Sequence, residues 1–289
     1  MPEKKKRAIA YEKLIIGPVT TIGEMTMGGH WLEMLKVQKQ AGTYKTYSGA
    51  AAHMWKELGF SGFYKGFWPA GFVQGCYKGL PVLFVQGEVK YQLNERGYVG
   101  KPAEVAAGVT AGVVQGAMVS PTQRVKVLVA TNAKAGAVSL DIIRKVIADE
   151  GVGTLFKGTG VMMLRRGVDW GVRFYGKSLI TGWMLAGTPE GTKLGIGQQF
   201  CAGLFGGAFS ALSQPLDVWV ANAQKHRAVP ITAAECFSEL MAESASKGFF
   251  SVWFRGIEMR IVHSSYHTAW MAGLGAYIAD YYRTNWVKK

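Results

Sequence analysis

Apolar residues in this chain of 289 residues are concentrated in six long segments, with three shorter segments of mixed polarity between them. The long segments cover approximately residues 11–40, 67–94, 103–131, 159–185, 195–225 and 257–285. The short segments cover 47–58, 138–150 and 231–246. In the middle one, Leu140, Ile143, Val146 and Ile147 follow the spacing of an amphipathic helix. The pattern predicts six long helices and three short surface helices.

Glycines recur at intervals of four residues inside the long segments. The series are Gly71, Gly75 and Gly79; Gly108, Gly112 and Gly116; and Gly167 with Gly171. A glycine inside a helix costs about 0.8–1 kcal/mol relative to alanine in water, and close approach of helices in a bilayer is the usual compensation. The few charged side chains in each segment then have to face an aqueous cavity or a partner. We therefore predict membrane helices rather than core helices of a soluble protein.

Two short motifs occur three times along the chain. The first motif reads W-L-E-M-L-K at Trp31–Lys36, P-T-Q-R-V-K at Pro121–Lys126 and P-L-D-V-W-V at Pro215–Val220. The second is an aromatic-base-glycine triplet that ends at Gly66, Gly158 and Gly256. Successive copies lie 90 and 94 residues apart for the first motif and 92 and 98 for the second. The common period predicts one domain over residues 1–289, built from repeats at about 8–98, 99–190 and 191–289.

The composition excludes several classes of protein. The net charge of +14 would suit nucleic-acid binding, but a chain that is 49% apolar and holds 38 glycines is not typical of that class. Three scattered cysteines, Cys76, Cys201 and Cys236, show neither a disulfide framework nor a metal-site spacing. No nucleophile–base pair or phosphate loop occurs at a meaningful spacing, so the sequence does not predict an enzyme, a metal site or a catalytic cofactor.

The motif P-x-[DE]-x-x-[KR], followed by the triplet, resembles that of the mitochondrial carrier family over the whole chain. The passage Leu164–Phe174, L-R-R-G-V-D-W-G-V-R-F, is similar to the tricarboxylate/oxodicarboxylate branch. The resemblance implies an all-α membrane protein with six transmembrane helices in three pseudo-threefold repeats, each with a short matrix surface helix. It also implies a multi-pass location in the mitochondrial inner membrane and exchange of small anionic metabolites by alternating access.

The same resemblance implies a gate of ion pairs on the matrix side. In carriers the acid of one repeat pairs with the base of the next, so Glu33 is expected to meet Lys126 and Asp217 to meet Lys36. The third pair would join Gln123 and Val220, which carry no charge. Gln40 and Gln224 match the glutamines that brace the gate in the family.

Two further departures concern the bends and the outer gate. A proline kinks each odd-numbered helix in carriers. Trp31 replaces the first of these prolines, so that kink has to come from Gly28–Gly29 or be absent. A second gate at the outer end is barely recognisable in the sequence. Its remnants are Glu88, Tyr175-Gly176-Lys177, Asp280 and Arg283.

Family position also indicates where a substrate binds, about two turns into each even-numbered helix. The candidate substrate-binding residues are Gln74, Lys78, Arg165, Arg166, Asp169, Arg173, Arg260 and His263. Arg165, Asp169 and Arg173 share one helix face, and arginine binds carboxylates bidentately. The alternatives are that this trio is a packed ionic ladder, that Lys78 pairs with a backbone carbonyl, and that His263 is a packing residue.

The resemblance further implies bound cardiolipin. The residues expected at its sites are Gly66, Gly158, Gly256, Tyr47 and Gly49. Helix N-termini offer free N–H groups to a phosphate, which supports this expectation.

Two functions remain open from the sequence. The first is a transporter of di- or tricarboxylates, supported by the three repeats, two charged gate pairs and the arginine-rich fourth helix. The second is a carrier fold that serves as a non-transporting structural subunit of an inner-membrane respiratory-chain complex, among other protein subunits. Trp31, the uncharged Gln123 and Val220, the eroded outer gate and His263 favour the second.

Overall fold

The computed structural model describes residues 13–131, 139–189, 194–225, 231–282 and 284–285, and these residues form helices and short turns without a strand. The helices are α1 Lys13–Glu24, α2 His30–Gln40, α3 Tyr47–Leu58, α4 Phe72–Glu95, α5 Lys101–Thr131, α6 Ser139–Glu150, α7 Thr159–Met184, α8 Ile196–Phe209, α9 Gln214–Gln224, α10 Ala233–Lys247, α11 Phe249–Trp253 and α12 Ile257–Tyr282. All nine predicted segments are therefore helical over nearly the predicted bounds. The division into three repeats stays a prediction.

The first long segment bends at a glycine, which is one of the two alternatives that the missing proline left open. A π-helical turn, Met25–Gly29, joins α1 to α2, and Gly28 within it has φ 147° and ψ −27°. This positive φ favours glycine, because other residues would be strained there. The fifth segment is also interrupted, by a 3₁₀ turn at Ser210–Ser213 before Pro215. Helix α5, in contrast, continues without interruption through Pro121, so the expected proline kink produces no break there.

The long helices form a closed ring. Helix α1 packs on α4, α4 on α5, α5 on α7, α7 on α8, α8 on α12, and α12 returns to α1. At one end of the ring, α2, α9 and the last part of α5 contact one another. Side chains that point inward from the six segments therefore meet around one central axis, and those near α2 and α9 meet where the ring narrows.

The spaced glycines allow neighbouring helices of the ring to approach closely. A Cβ atom added at Gly112 would lie 2.3 Å from the backbone oxygen of Arg166, and one at Gly116 would lie 2.6 Å from Cα of Met163. A Cβ atom added at Gly207 of α8 would likewise lie 2.4 Å from the carbonyl oxygen of Ser264 in α12. The close helix approach predicted from the glycine spacing is therefore present. Among the described helices, α5 alone is long and apolar enough to span a membrane by length and composition, with half of its most apolar window buried in the protein.

Candidate functional site: a charged hollow inside the helix ring

Most charged side chains that the sequence singled out line a narrow hollow of about 30 Å³ on the axis of the ring. Its charged lining residues are Glu33, Lys36, Lys78, Arg165, Arg166, Arg173, Asp217 and Arg260. Six of these are cations and two are acids, so the lining has an excess of positive charge. A second hollow of about 230 Å³ adjoins the first, shares Lys78, Arg173 and His267 with it, and extends to Gln86 and Lys177. Together they form one cationic cavity.

The first gate pair, Glu33 with Lys126, forms as predicted. The ammonium of Lys126 contacts Oε2 of Glu33, and both side chains are buried. Gln123, which was expected opposite Val220, instead donates from Nε2 to Oε1 of Glu33 over 3.3 Å. Gln74 donates to Oε1 of Gln123 over 3.2 Å and accepts from Nζ of Lys126 over 3.1 Å. Gln74, predicted to bind substrate, is thus part of the gate network.

The second gate pair, Lys36 with Asp217, also forms, with Nζ 3.5 Å from Oδ2. Two further cations reach the same carboxylate: Arg165 contacts Oδ1 through Nε, and Arg260 contacts Oδ2 through Nη1. Gln40 donates from Nε2 to Oδ2 over 3.3 Å, so its predicted role as a brace fits its position. Asp217 is therefore held by three cations and an amide.

Asp169 forms ion pairs with two arginines, Arg173 and Arg260. Nη2 of Arg260 lies 2.6 Å from Oδ1 of Asp169, and Nε of Arg173 lies 3.2 Å from the same oxygen. Arg173 also donates to Thr268 over 2.6 Å and to Ser264 over 3.2 Å. The ionic ladder considered from the sequence is thus present between Asp169 and Arg173. Arg165 does not belong to it, because that side chain turns to Asp217.

Lys78 and Arg166 differ from the other cations of the hollow. Both are buried, at 6% and 7% exposure, and neither has a hydrogen-bond or ion-pair partner among the described residues. Nε of Arg166 is buried without any acceptor. The alternative in which Lys78 pairs with a backbone carbonyl is not what the structure has. Burying an unpaired charge is costly, so two such cations beside one hollow favour binding of an anion there.

The remaining predicted gate and site residues are Gln224, Val220 and His263. Gln224, expected to brace a gate pair, donates instead to Oγ of Ser120 over 3.4 Å and packs beside Gly158. Val220 packs against Val161 and Met162 and fills the place of the missing charge with apolar contact. His263 lines the hollow and stacks on His267, with ring centroids 6.4 Å apart.

The structure brings together only part of the predicted lipid-binding set. A Cβ at Gly256 would lie 3.6 Å from the hydroxyl of Tyr47, and Tyr47 donates to Glu258 over 3.0 Å. Burial and this hydrogen bond raise the pKa of Tyr47, so its hydroxyl stays protonated. Gly49 follows the Thr46 cap of α3, and its N–H donates to that side chain over 3.1 Å.

The other two triplet glycines lie apart from Tyr47. Gly66 packs against Val129. Gly158 precedes α7 and lines an open groove of about 700 Å³ together with Phe156, Trp219 and Phe237.

Sequence reasoning missed Glu24 and His267. Nδ1 of His267 lies 3.3 Å from Oε2 of Glu24, and both side chains are buried. No family motif covers either residue. One sequence signal could have indicated them: each is an ionisable residue in a long, mostly apolar segment, and such residues inside a membrane tend to have a function. The outer-gate remnants Asp280 and Arg283 have side chains outside the described residues.

A closed ring of helices around a cationic hollow, with ion pairs between its helices at one end, is the arrangement expected of a solute carrier. Residues 100–186 match the family model described as mitochondrial carrier protein, which is nearly the second predicted repeat. Over this repeat the chain is thus similar to mitochondrial carrier proteins.

Three relatives illustrate the similarity. The chain is 26% identical to the citrate/oxoglutarate carrier protein of Saccharomyces cerevisiae over 94% of its own length and 90% of the relative. It is 28% identical to the mitochondrial electrogenic aspartate/glutamate antiporter SLC25A13 of Homo sapiens over 56% of this chain and 22% of that protein. It is 30% identical to mitochondrial magnesium exporter 1 of Drosophila melanogaster over 47% of this chain and 51% of that protein. These relatives are transporters, in agreement with the prediction that the chain is not an enzyme.

Proposed function

We propose that this carrier exchanges di- and tricarboxylate anions across the mitochondrial inner membrane. The observation that carries the proposal is the pair of buried, unpartnered cations, Lys78 and Arg166, on the wall of the central hollow. The similarity to a citrate/oxoglutarate carrier over 94% of the chain supports the same class of substrate. In this proposal the six long segments span the membrane as three repeats, and α3, α6 and α10 lie along the matrix surface.

The chemistry of the hollow suits a carboxylate better than a cation or a neutral solute. Six cations against two acids on its wall attract negative charge and repel metal ions. Arg166 offers a planar donor fork that binds a carboxylate through two hydrogen bonds, whereas Lys78 offers a point charge. A substrate with carboxylates at both ends can therefore contact α4 and α7 at once.

In this proposal, the two arginines that contact Asp217 couple substrate binding to alternating access. Arg165 and Arg260 line the hollow and also hold the carboxylate of the second gate pair. A substrate carboxylate competes with Asp217 for these guanidinium groups. When it wins, Lys36 remains as the single cation on Asp217, and the gate is weakened. Substrate binding thus promotes opening toward the matrix, and the same network closes again after release.

Cardiolipin is proposed at the groove beside Gly158. The groove adjoins the N-terminus of α7, where free N–H groups favour a phosphate, and Phe156, Trp219 and Phe237 offer apolar surface to acyl chains. At the N-terminus of α12, the Glu258 carboxylate already bonds Tyr47 and lies 3.6 Å from Nζ of Lys39. We therefore expect lipid binding at Gly158 to be tighter than at Gly256.

Reconstituted vesicles test the transport proposal. Purified protein is placed in cardiolipin-containing vesicles loaded with oxoglutarate, and uptake of labelled citrate, malate, oxoglutarate and phosphate is compared. We expect citrate and oxoglutarate to exchange faster than phosphate. No uptake of any carboxylate would refute the proposal. Co-migration of the chain with a respiratory complex in mild detergent, without transport, would support the structural-subunit function instead.

A further inference from the structure

A buried carboxylate and a buried imidazole meet where the first and last helices of the ring close on each other. Glu24 ends α1 and is 1% exposed, and His267 lies in the middle of α12 and is 8% exposed. Nδ1 of His267 lies 3.3 Å from Oε2 of Glu24, within ion-pair distance, and has no hydrogen-bond partner. Oε1 of Glu24 also has no hydrogen-bond partner. The pair can therefore bind a further proton.

His267 lines the substrate hollow, and Glu24 is buried beside it. His267 lines both parts of the cavity beside Lys78 and Arg173 and stacks on His263. The titratable and charged groups that face the pair are His30 and Glu33 from α2, Lys78 from α4, Arg173 from α7, and His263 and Tyr266 from α12. Helix α8, which also packs on α12, has no charged residue in its sequence.

We propose that Glu24 and His267 form a proton-binding site that takes up one proton when a tricarboxylate enters the hollow. In the empty carrier, the charges of Lys78 and Arg173 disfavour an additional proton on the pair. A bound anion neutralises these cations and makes protonation favourable, because the charges interact across a buried site. Acid and histidine side chains inside a membrane commonly serve as proton relays in transporters.

The proton balances the charge of an unequal exchange. The proposal rests on the proposed function, in which citrate, a trianion, is exchanged for oxoglutarate, a dianion. One proton taken from the solution with citrate reduces the transferred charge to that of a dianion. The proton leaves with citrate on the other side, and the pair returns to its initial state as oxoglutarate moves back. No bond other than that of the proton is made or broken.

The position of Glu24 provides a route from protonation to movement. A Cβ atom at Gly29 would lie 2.0 Å from Oε1 of Glu24, so the carboxylate lies directly over the bend between α1 and α2. Helix α2 carries Glu33 and Lys36, which form the gate pairs. A change of charge at Glu24 therefore acts at the bend that positions both.

Proton uptake by the purified carrier tests the inference directly. Citrate is added to detergent-solubilised protein in weakly buffered solution with a pH indicator, while calorimetry measures citrate binding. We expect the wild type to take up about one proton for each citrate bound, near neutral pH. We expect Glu24→Gln and His267→Gln to take up none. His53→Gln, a substitution on the surface helix α3, serves as the matched control and is expected to behave as the wild type.

Vesicle transport gives a second, independent measurement. For coupling to one proton, lowering the external pH by one unit speeds citrate uptake by up to about tenfold in the wild type. In the two variants we expect the rate of citrate uptake to change less than about twofold for the same change in pH, whatever their absolute rate. If either variant does not fold, the other still decides the outcome. Citrate binding without proton uptake by the wild type would overturn this inference alone, whereas absence of citrate binding would overturn the proposed function with it.

Discussion

Gln123 donates a hydrogen bond from Nε2 to Oε1 of Glu33 over 3.3 Å, at the ring position where the repeat pattern gives it no charged partner. The amide thereby joins the first gate pair, and Gln74 extends the network to Lys126. Val220, on the other side of the missing pair, packs against apolar neighbours. The gate thus compensates for the loss of one ion pair with an amide network and apolar packing.

The first prediction concerns this network. Gln123→Leu removes the amide and leaves Oε1 of Glu33 with less compensation in a buried site. We expect the free energy of unfolding in detergent to fall by about 1–3 kcal/mol. Thermal unfolding measures the change. Gln92→Leu, on an exposed part of α4, is the control and is expected to stay within about 0.5 kcal/mol.

The second prediction separates function from stability at Arg166. Arg166→Met removes a buried charge without a partner, so we expect about 1–3 kcal/mol of added stability together with loss of citrate exchange. The matched substitution Arg124→Met removes a buried arginine that donates to Thr154 over 2.8 Å and pairs with Glu150. It is expected to lower stability by about 1–3 kcal/mol. A loss of stability in Arg166→Met equal to that in Arg124→Met would contradict the assignment of Arg166 as a substrate cation.

The third prediction concerns the shared carboxylate. Asp217→Asn removes the negative charge that Lys36, Arg165 and Arg260 contact. We expect a loss of about 3–5 kcal/mol, because the buried Lys36 and Arg165 lose their ion-pair partner and Arg260 keeps only Asp169. Citrate should then raise the melting temperature of the variant more than that of the wild type, since it no longer competes with Asp217.

The control for that experiment is Asp141→Asn, at an exposed position in the first turn of α6. Its stability is expected to change by less than about 0.5 kcal/mol, with the same response to citrate as the wild type. An equal response to citrate in Asp217→Asn and the wild type would show that substrate does not bind the arginines of the gate.

The fourth prediction concerns the contact between α5 and α7. Gly112→Ala places a methyl group 2.3 Å from the Arg166 carbonyl oxygen, so backbone has to move. We expect a loss of more than about 3 kcal/mol or failure to fold. Gly197→Ala, near the start of α8 with open space around it, is expected to be neutral or slightly stabilising. Folded yield and thermal unfolding compare the two.

The sequence predicted the helices well because their signals are local. Apolar segments, spaced glycines and repeated motifs each depend on nearby residues, and the observed helices follow the predicted bounds. The gate pairs Glu33–Lys126 and Lys36–Asp217 were also predictable, because the resemblance to carriers implies that the acid of one repeat meets the base of the next. The absence of the first proline left open whether α1 and α2 would meet at a kink, and the structure has one at Gly28.

The site itself was less predictable, because its partners lie far apart in the chain. Spacing along α7 suggested that Arg165 would face Asp169, but the guanidinium reaches Asp217, 52 positions later. Gln224 matched a bracing position, yet its nearest acceptor is Ser120. Glu24 and His267 belong to no repeated motif, and only the closure of the ring brings them together. These contacts depend on the packing of helices rather than on local pattern.

The most direct test of the anion site is the initial rate of labelled citrate uptake into oxoglutarate-loaded vesicles, compared for the wild type, Lys78→Gln and Lys56→Gln. Lys78 is buried at the hollow, whereas Lys56 is exposed on α3. We expect the uptake rate of Lys78→Gln to fall at least about tenfold, because the variant loses one charge-assisted hydrogen bond to the substrate. Lys56→Gln is expected to match the wild-type rate. Uptake by Lys78→Gln at the wild-type rate would contradict the account.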